Sequence, residues 1–174
     1  KQQQEAAASA TNSPEPPSAM LQRYAVHVGD SIPTASLEAV SASLIAEARR
    51  KFHARRFEEA LQGFAYGLAV YEQLASRRPP SSSYATVADD TEHGALMHNI
   101  ASCLHCLGDF EAAKAHYERA LEAFSSARPP SRLSYLVYGN IDHKRCEFVR
   151  ERLADVALGR LPDLDKYLDS FGHR

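Results

Sequence analysis

The chain has 174 residues, 44% of them hydrophobic and 24% charged, and its formal net charge is −2. That length accommodates one domain and excludes two ordinary ones joined by linkers. A near-neutral charge gives no global field to attract nucleic acid or an anionic membrane. Three cysteines, Cys103, Cys106 and Cys146, are too few for a disulfide framework, and odd in number. The expected setting is therefore reducing and intracellular, with the cytoplasm first and a mitochondrion or cilium as alternatives. No apolar run reaches the roughly 18 residues of a spanning helix, and no secretory h-region is visible. Because it begins at Lys1, the sequence is read as a processed chain or a piece of something longer.

Residues 1–33 are expected to form a low-complexity, extended arm. The first nineteen, KQQQEAAASATNSPEPPSA, hold no large apolar residue and cannot bury enough surface to offset the entropy of ordering. Tyr24, Val26 and Val28 alternate weakly, as in an extended segment lying on helices. Residues 34–174 are expected to be helical. Leu37, Val40, Leu44, Ile45, Ala48 and Phe52 share one stripe of a first helix that starts after Pro33 and Thr34. A second begins near Phe57, with Ala60, Leu61, Phe64, Leu68 and Tyr71 inward, and stops at RRPPSSS, since proline cannot continue the ladder. Asp89 and Glu92 have the spacing of a capping box for a third helix over about 90–107. A fourth runs from Phe110 to about Ala127. A fifth, long helix is expected over about 131–158, ended by Gly159 and Pro162. A short terminal helix carries Leu164, Tyr167, Leu168 and Phe171.

The sequence repeats itself. FEEALQGFAYGL at 57–68 aligns with FEAAKAHYERAL at 110–121, so that Phe57, Ala60, Phe64 and Leu68 match Phe110, Ala113, Tyr117 and Leu121, each 53 residues on. RPPS recurs at 78–81 and 128–131. The physical content is packing. Where two antiparallel helices cross closely the residue between them must be small, hence Ala60 and Ala113, and rings fill the volume on either side. One hairpin cannot cover its own apolar face, so hairpins stack. Gly108-Asp109 is the turn of the second hairpin.

These residues resemble tetratricopeptide repeats (TPR). Met97, Ile100, Ala101, Leu104, Gly108, Phe110, Ala113, Tyr117, Ala120 and Leu121 occupy the motif's positions in the second copy. The first copy, about 41–76, fits loosely, with Arg55 in place of the turn glycine and Gly67 in place of the second alanine. A third copy is doubtful, because the fifth helix is not followed by a Gly-Asp-aromatic turn. The resemblance implies an all-α, TPR-like superhelix of stacked helical hairpins, with a long third helix after the two hairpins and a short C-terminal cap. It implies a protein–protein interaction module that takes a partner peptide or helix in its concave groove. Two alternatives are a structural subunit of a large ciliary, mitochondrial or ribosomal assembly, and a chaperone-binding co-chaperone. For the last, Asn99 matches one residue of the family's carboxylate clamp, but Ile45 and Arg49 replace two others, and Lys144 and Arg145 have no secure register.

The groove implied by the resemblance carries Ile45, Arg49, Phe52 and His53 from the first helix. From the third it carries His98, Asn99, Ser102 and His105, flanked by Ala42, Ala95 and Cys106. This mixed surface suits an apolar helix or extended peptide, or the chain's own tail or last helix. The cations Arg49, Arg50, Lys51, Arg55 and Arg56 are flanked by Glu47, Glu58 and Glu59, and read as a solvated face, with an acidic protein partner as the next reading and RNA last. Cys103, His105 and Cys106 lack the converging fourth ligand of a zinc site. No phosphate loop, nucleophile elbow or carboxylate pair is present. No enzyme activity, cofactor or metal is expected.

Overall fold

A computed structural model describes residues 17, 19, 33–77, 85–126 and 141–164. Most of the expected arm, the RPPS segments, the part of the fifth helix before 141 and the terminal helix beyond 164 lie outside the described residues. Among these described residues five helices follow in order: α1 Thr34–His53, α2 Phe57–Arg77, α3 Ala85–Cys106, α4 Phe110–Ser126 and α5 Ile141–Ala157. Among the described residues the structure is all-helical, and neighbours in sequence are neighbours in space.

Pairing partners give the directions. Gly63 lies against Ala48, Gly67 against Ile45, and the Ser41 hydroxyl reaches the Gly67 carbonyl, so α1 and α2 are antiparallel. A Cβ built on Gly63 would stand 2.8 Å from the Ala48 Cβ, which is the close approach that small residues permit. In the same way Gly94 meets Ala123 and Phe124, and Ser102 meets Tyr117, which makes α3 and α4 antiparallel. Ala60, Ala113, Phe64 and Tyr117, residues that define the sequence repeat, are all inside the core. One hydrophobic cluster runs from Ala48 through α2, α3 and α4 to Val156.

Three helices end in the same way. After α1 the N–H of Arg55 bonds the Phe52 carbonyl and that of Arg56 bonds the Lys51 carbonyl. After α3, Gly108 bonds His105 and Asp109 bonds Leu104; after α5, Gly159 bonds Val156 and Arg160 bonds Asp155. This is a double-bonded C-terminal cap with its central residue left-handed: φ is 61° at Arg55, 79° at Gly108 and 62° at Gly159. The structure thus supplies a third turn, Leu158-Gly159-Arg160, where the sequence shows no Gly-Asp-aromatic pattern. The cap needs only backbone groups and a left-handed residue, so the Asp is dispensable to it. Asp109 has a second task. Its carboxylate accepts the N–H of Ala112 at 3.3 Å and so caps the start of α4.

Arg55 takes a glycine's conformation at a steric disadvantage, since a left-handed residue with a Cβ is strained. Arg55→Gly is expected to raise stability by about 0.5–1 kcal/mol, after the greater freedom of glycine in the unfolded chain is subtracted. A chemical-denaturation midpoint that stays or falls would contradict this.

Helix α5 packs on α4 through residues in the same register as those by which α3 packs on α2. His93 on α3 stacks on Tyr71 at 5.8 Å and sits 3.9 Å from Glu72 on α2. Fifty-three residues later, Cys146 on α5 lies 3.7 Å from Ser125, and Arg145 sits 5.5 Å over Phe124, both on α4. So α5 docks on α4 as α3 docks on α2.

One boundary differs from expectation. Helix α3 starts at Ala85, not near 90, so Asp89 lies within the helix rather than at its N-cap. No breaker stands between Tyr84 and Asp89, and a capping residue must lie outside the helical backbone.

Candidate functional site

The face on which the groove was expected divides in two. On α1, Arg49 and His53 are exposed, while Ile45 and Phe52 are half-buried against the core. The rings of Phe52 and Phe57 meet edge to face at 5.4 Å across the α1–α2 turn. On α3, Asn99 is half-buried, but His98, Ser102 and His105 are interior, with 3%, 2% and 0% of their surfaces accessible. These three do not line an open groove. The reason is α5 and its terminal turn, which cover them.

The interior layer is polar and specific. The Ser102 hydroxyl donates to the His98 carbonyl at 2.8 Å and lies 3.4 Å from the His98 Nε2. Its own oxygen accepts from the Tyr117 hydroxyl at 3.4 Å. The His105 Nε2–H donates to the Arg160 carbonyl at 2.6 Å, which fixes the tautomer and turns Nδ1 toward the Tyr117 hydroxyl at 3.4 Å. From α5, the Phe148 ring packs 5.5 Å from that of His98, and the Arg152 guanidinium lies 5.0 Å over Phe148. Arg152 is itself buried and pairs with Asp155 at 3.2 Å.

Burial sets the charge state. The His98 imidazole is pushed down to about 3, by desolvation first and then by Arg152 and Arg145. His105 is lowered by burial, against the pull of the Arg160 carbonyl. Both rings are therefore neutral at physiological pH. The Ser102 proton is committed to a carbonyl one turn back, so the Ser102–His98 pair presents no activated nucleophile.

Burial pushes the Cys103 thiol well up and the Cys106 thiol to about 12, so both are protonated at physiological pH. Among the described residues no three His, Cys, Asp or Glu side chains gather as a metal site.

The basic run resolves into local pairs. Arg50 bonds Glu47, Arg56 bonds Glu59 through two nitrogens at 2.6 Å, and Lys51 lies 3.6 Å from Glu59. Arg50 in turn holds the Glu47 carboxyl below its ordinary range. Of the cations considered for a clamp, Arg145 lies over Phe124 and Lys144 is exposed.

Sequence reasoning missed Arg152, because a charged residue in a helix pattern is ordinarily assigned to the solvent side. Its spacing four residues after Phe148 was the available signal, since that places a cation over a ring on one helical face.

No protein-family model, curated protein or solved structure matches the chain. No helix among the described residues is long and apolar enough to cross a membrane.

Proposed function

We propose that the chain is a non-catalytic protein–protein interaction module, a TPR-like superhelix that takes a partner peptide or helix along the α1 side of its repeated face. The observation that supports this reading is the recurrence of one packing unit. The same helix-ending turn appears three times, and α5 stacks on α4 as α3 stacks on α2. A fold made by translating one hairpin presents the same helix of each unit on a common side, and such sides bind extended chains or helices.

Because α5 covers His98, Ser102 and His105, the partner surface reduces to Ile45, Arg49, Phe52 and His53, with Asn99 at its margin. Ile45 and Phe52 offer apolar contact, and Arg49 and His53 offer a polar edge.

The test is cross-linking mass spectrometry on the protein in its native extract, followed by titration of the purified chain with the partner segment identified. Arg49→Glu combined with His53→Glu alters two exposed side chains and should leave the helical circular-dichroism spectrum intact while weakening binding at least about tenfold. Full-strength binding by the double variant would displace the site from α1. Substrate turnover without saturable binding of any partner would overturn the reading as a whole.

A further inference from the structure

The two repeat junctions are built on one register but from different chemistry. Shifting by 53 residues places Ile45 on His98, Arg49 on Ser102, Phe52 on His105 and Phe64 on Tyr117. Where the first copy has an apolar set broken only by the exposed Arg49, the second has two histidines, a serine and a tyrosine, all enclosed. The helix that encloses them adds a buried arginine, Arg152, where the corresponding residue of α3 is the neutral Asn99.

From this asymmetry we infer that the junction of α5 with the α3–α4 hairpin is an acid-sensitive joint, in which protonation of the His98–His105 layer releases α5 and its terminal turn and uncovers the α3 face.

The geometry carries it. His98 is sandwiched between Tyr117 of α4 and Phe148 of α5, with ring centroids 5.5 Å from each. A second proton on its ring would sit among groups that offer positive charge. From α5 these are Arg152 and Arg145, and the carboxylate of Asp155 offsets the first of them at 3.2 Å. Glu151 is 3.9 Å from Arg152 but points to solvent, with 71% of its side chain exposed. From α4 the layer faces the Tyr117 phenol, and on α3 itself Ser102 and the second histidine.

His105 acts at the other end. It grips the turn after α5 through the Arg160 carbonyl at 2.6 Å, 55 residues away in sequence. Although Pro162 is buried, the turn exposes Leu158 and Leu161 at 62% and 63%, so these two large apolar side chains do not resist its departure. A histidine freed by opening regains its ordinary pKa near 6.5, whereas in the closed joint His98 accepts a proton only near 3. The opening equilibrium is therefore driven about tenfold per pH unit below 6.5 by His98 alone, roughly 30-fold at pH 5.

Hydrogen exchange of the full chain, followed by mass spectrometry and corrected for the intrinsic pH dependence of amide exchange, reads this directly. Peptides covering α5 should lose protection roughly 30-fold between pH 7.5 and pH 5, and should exchange faster than those covering α1 and α2 across that range, because the joint opens at lower cost than global unfolding. His98→Gln, which keeps a polar side chain but cannot take a proton, should remove most of the effect. Should that variant fail to fold, His105→Gln should remove part of it, and the wild-type profile already decides the matter. Protection of α5 equal to that of α1 and α2 throughout, a flat α5 profile, or an undiminished effect in His98→Gln or in both variants would overturn the joint.

Discussion

Tyr117→Ala is expected to destabilise the chain by about 4 kcal/mol, and Tyr117→Phe by about 1 kcal/mol. Tyr117 is fully enclosed and is the largest of the fully buried side chains among the described residues. Truncation leaves a ring-sized void between α3 and α4, where the His98 and His105 rings pack against Tyr117 and limit how far the helices can close. The cavity cost thus adds to the lost transfer energy instead of relaxing away. The phenylalanine variant keeps the volume and removes only the hydroxyl that stands between Ser102 and His105. Urea denaturation followed by circular dichroism measures both. A loss under about 1.5 kcal/mol for the alanine variant would mean that the ring is not at the crossing of α3 and α4.

How far the sequence revealed this arrangement depends on what each signal measures. Helical periodicity placed α1, α2 and α4 within a residue or two of their observed spans, because their apolar stripes face a single neighbour and their ends carry turns or proline pairs. The small residues Ala60 and Ala113 were found for a physical reason: a close crossing admits nothing larger, so the same constraint recurs at the same register. Helix α3 was harder to read. It is enclosed by α2, α4 and α5, so polar residues such as His98, Ser102 and His105 are as interior as Leu96 and Ile100, and no stripe separates inside from outside. A sequence read for amphipathicity assigns such residues to a groove. That is why three of the eight groove residues proved to be core, while Arg49 and His53 on α1, which has only one described helix packed closely along it, remained at the surface.

The third turn was hidden for a related reason. Leu158-Gly159-Arg160 keeps the backbone bonds of Leu107-Gly108-Asp109 but not its side chains, and sequence comparison weighs side chains. Arg55 makes the same point from the other direction, since it holds a left-handed conformation that its identity argues against. Backbone geometry is the shared quantity among the three turns. The residues that occupy them differ with the demands of the neighbouring helix start: Asp109 caps α4 with its carboxylate, whereas Arg56 bonds Glu59 across the first turn of α2.

The second large effect is global. Stability should fall as pH drops below about 6.5, and by pH 5 the loss attributable to His98 should reach about 2 kcal/mol. The direction comes from proton counting. His98 binds a proton near 6.5 when unfolded but only near 3 when folded, so between those values the unfolded chain holds the extra proton and is favoured. The stabilising contribution is fully present above about 6.5 and is lost progressively as pH falls toward about 3. His105 and His116 are shifted in the same direction, both chiefly by burial, and add to the slope rather than oppose it. His98→Ile separates the contributions, because it installs the residue that the first copy carries at this position, Ile45. Its stability in urea, measured from pH 7.5 to pH 5, should decline less than that of the wild type, with the difference growing by about one proton's worth, ~1.4 kcal/mol per pH unit, below about 6. Parallel curves for the two proteins would show that His98 already exchanges protons with solvent in the native state, and a buried neutral layer between α3, α4 and α5 would then be the wrong description of this junction.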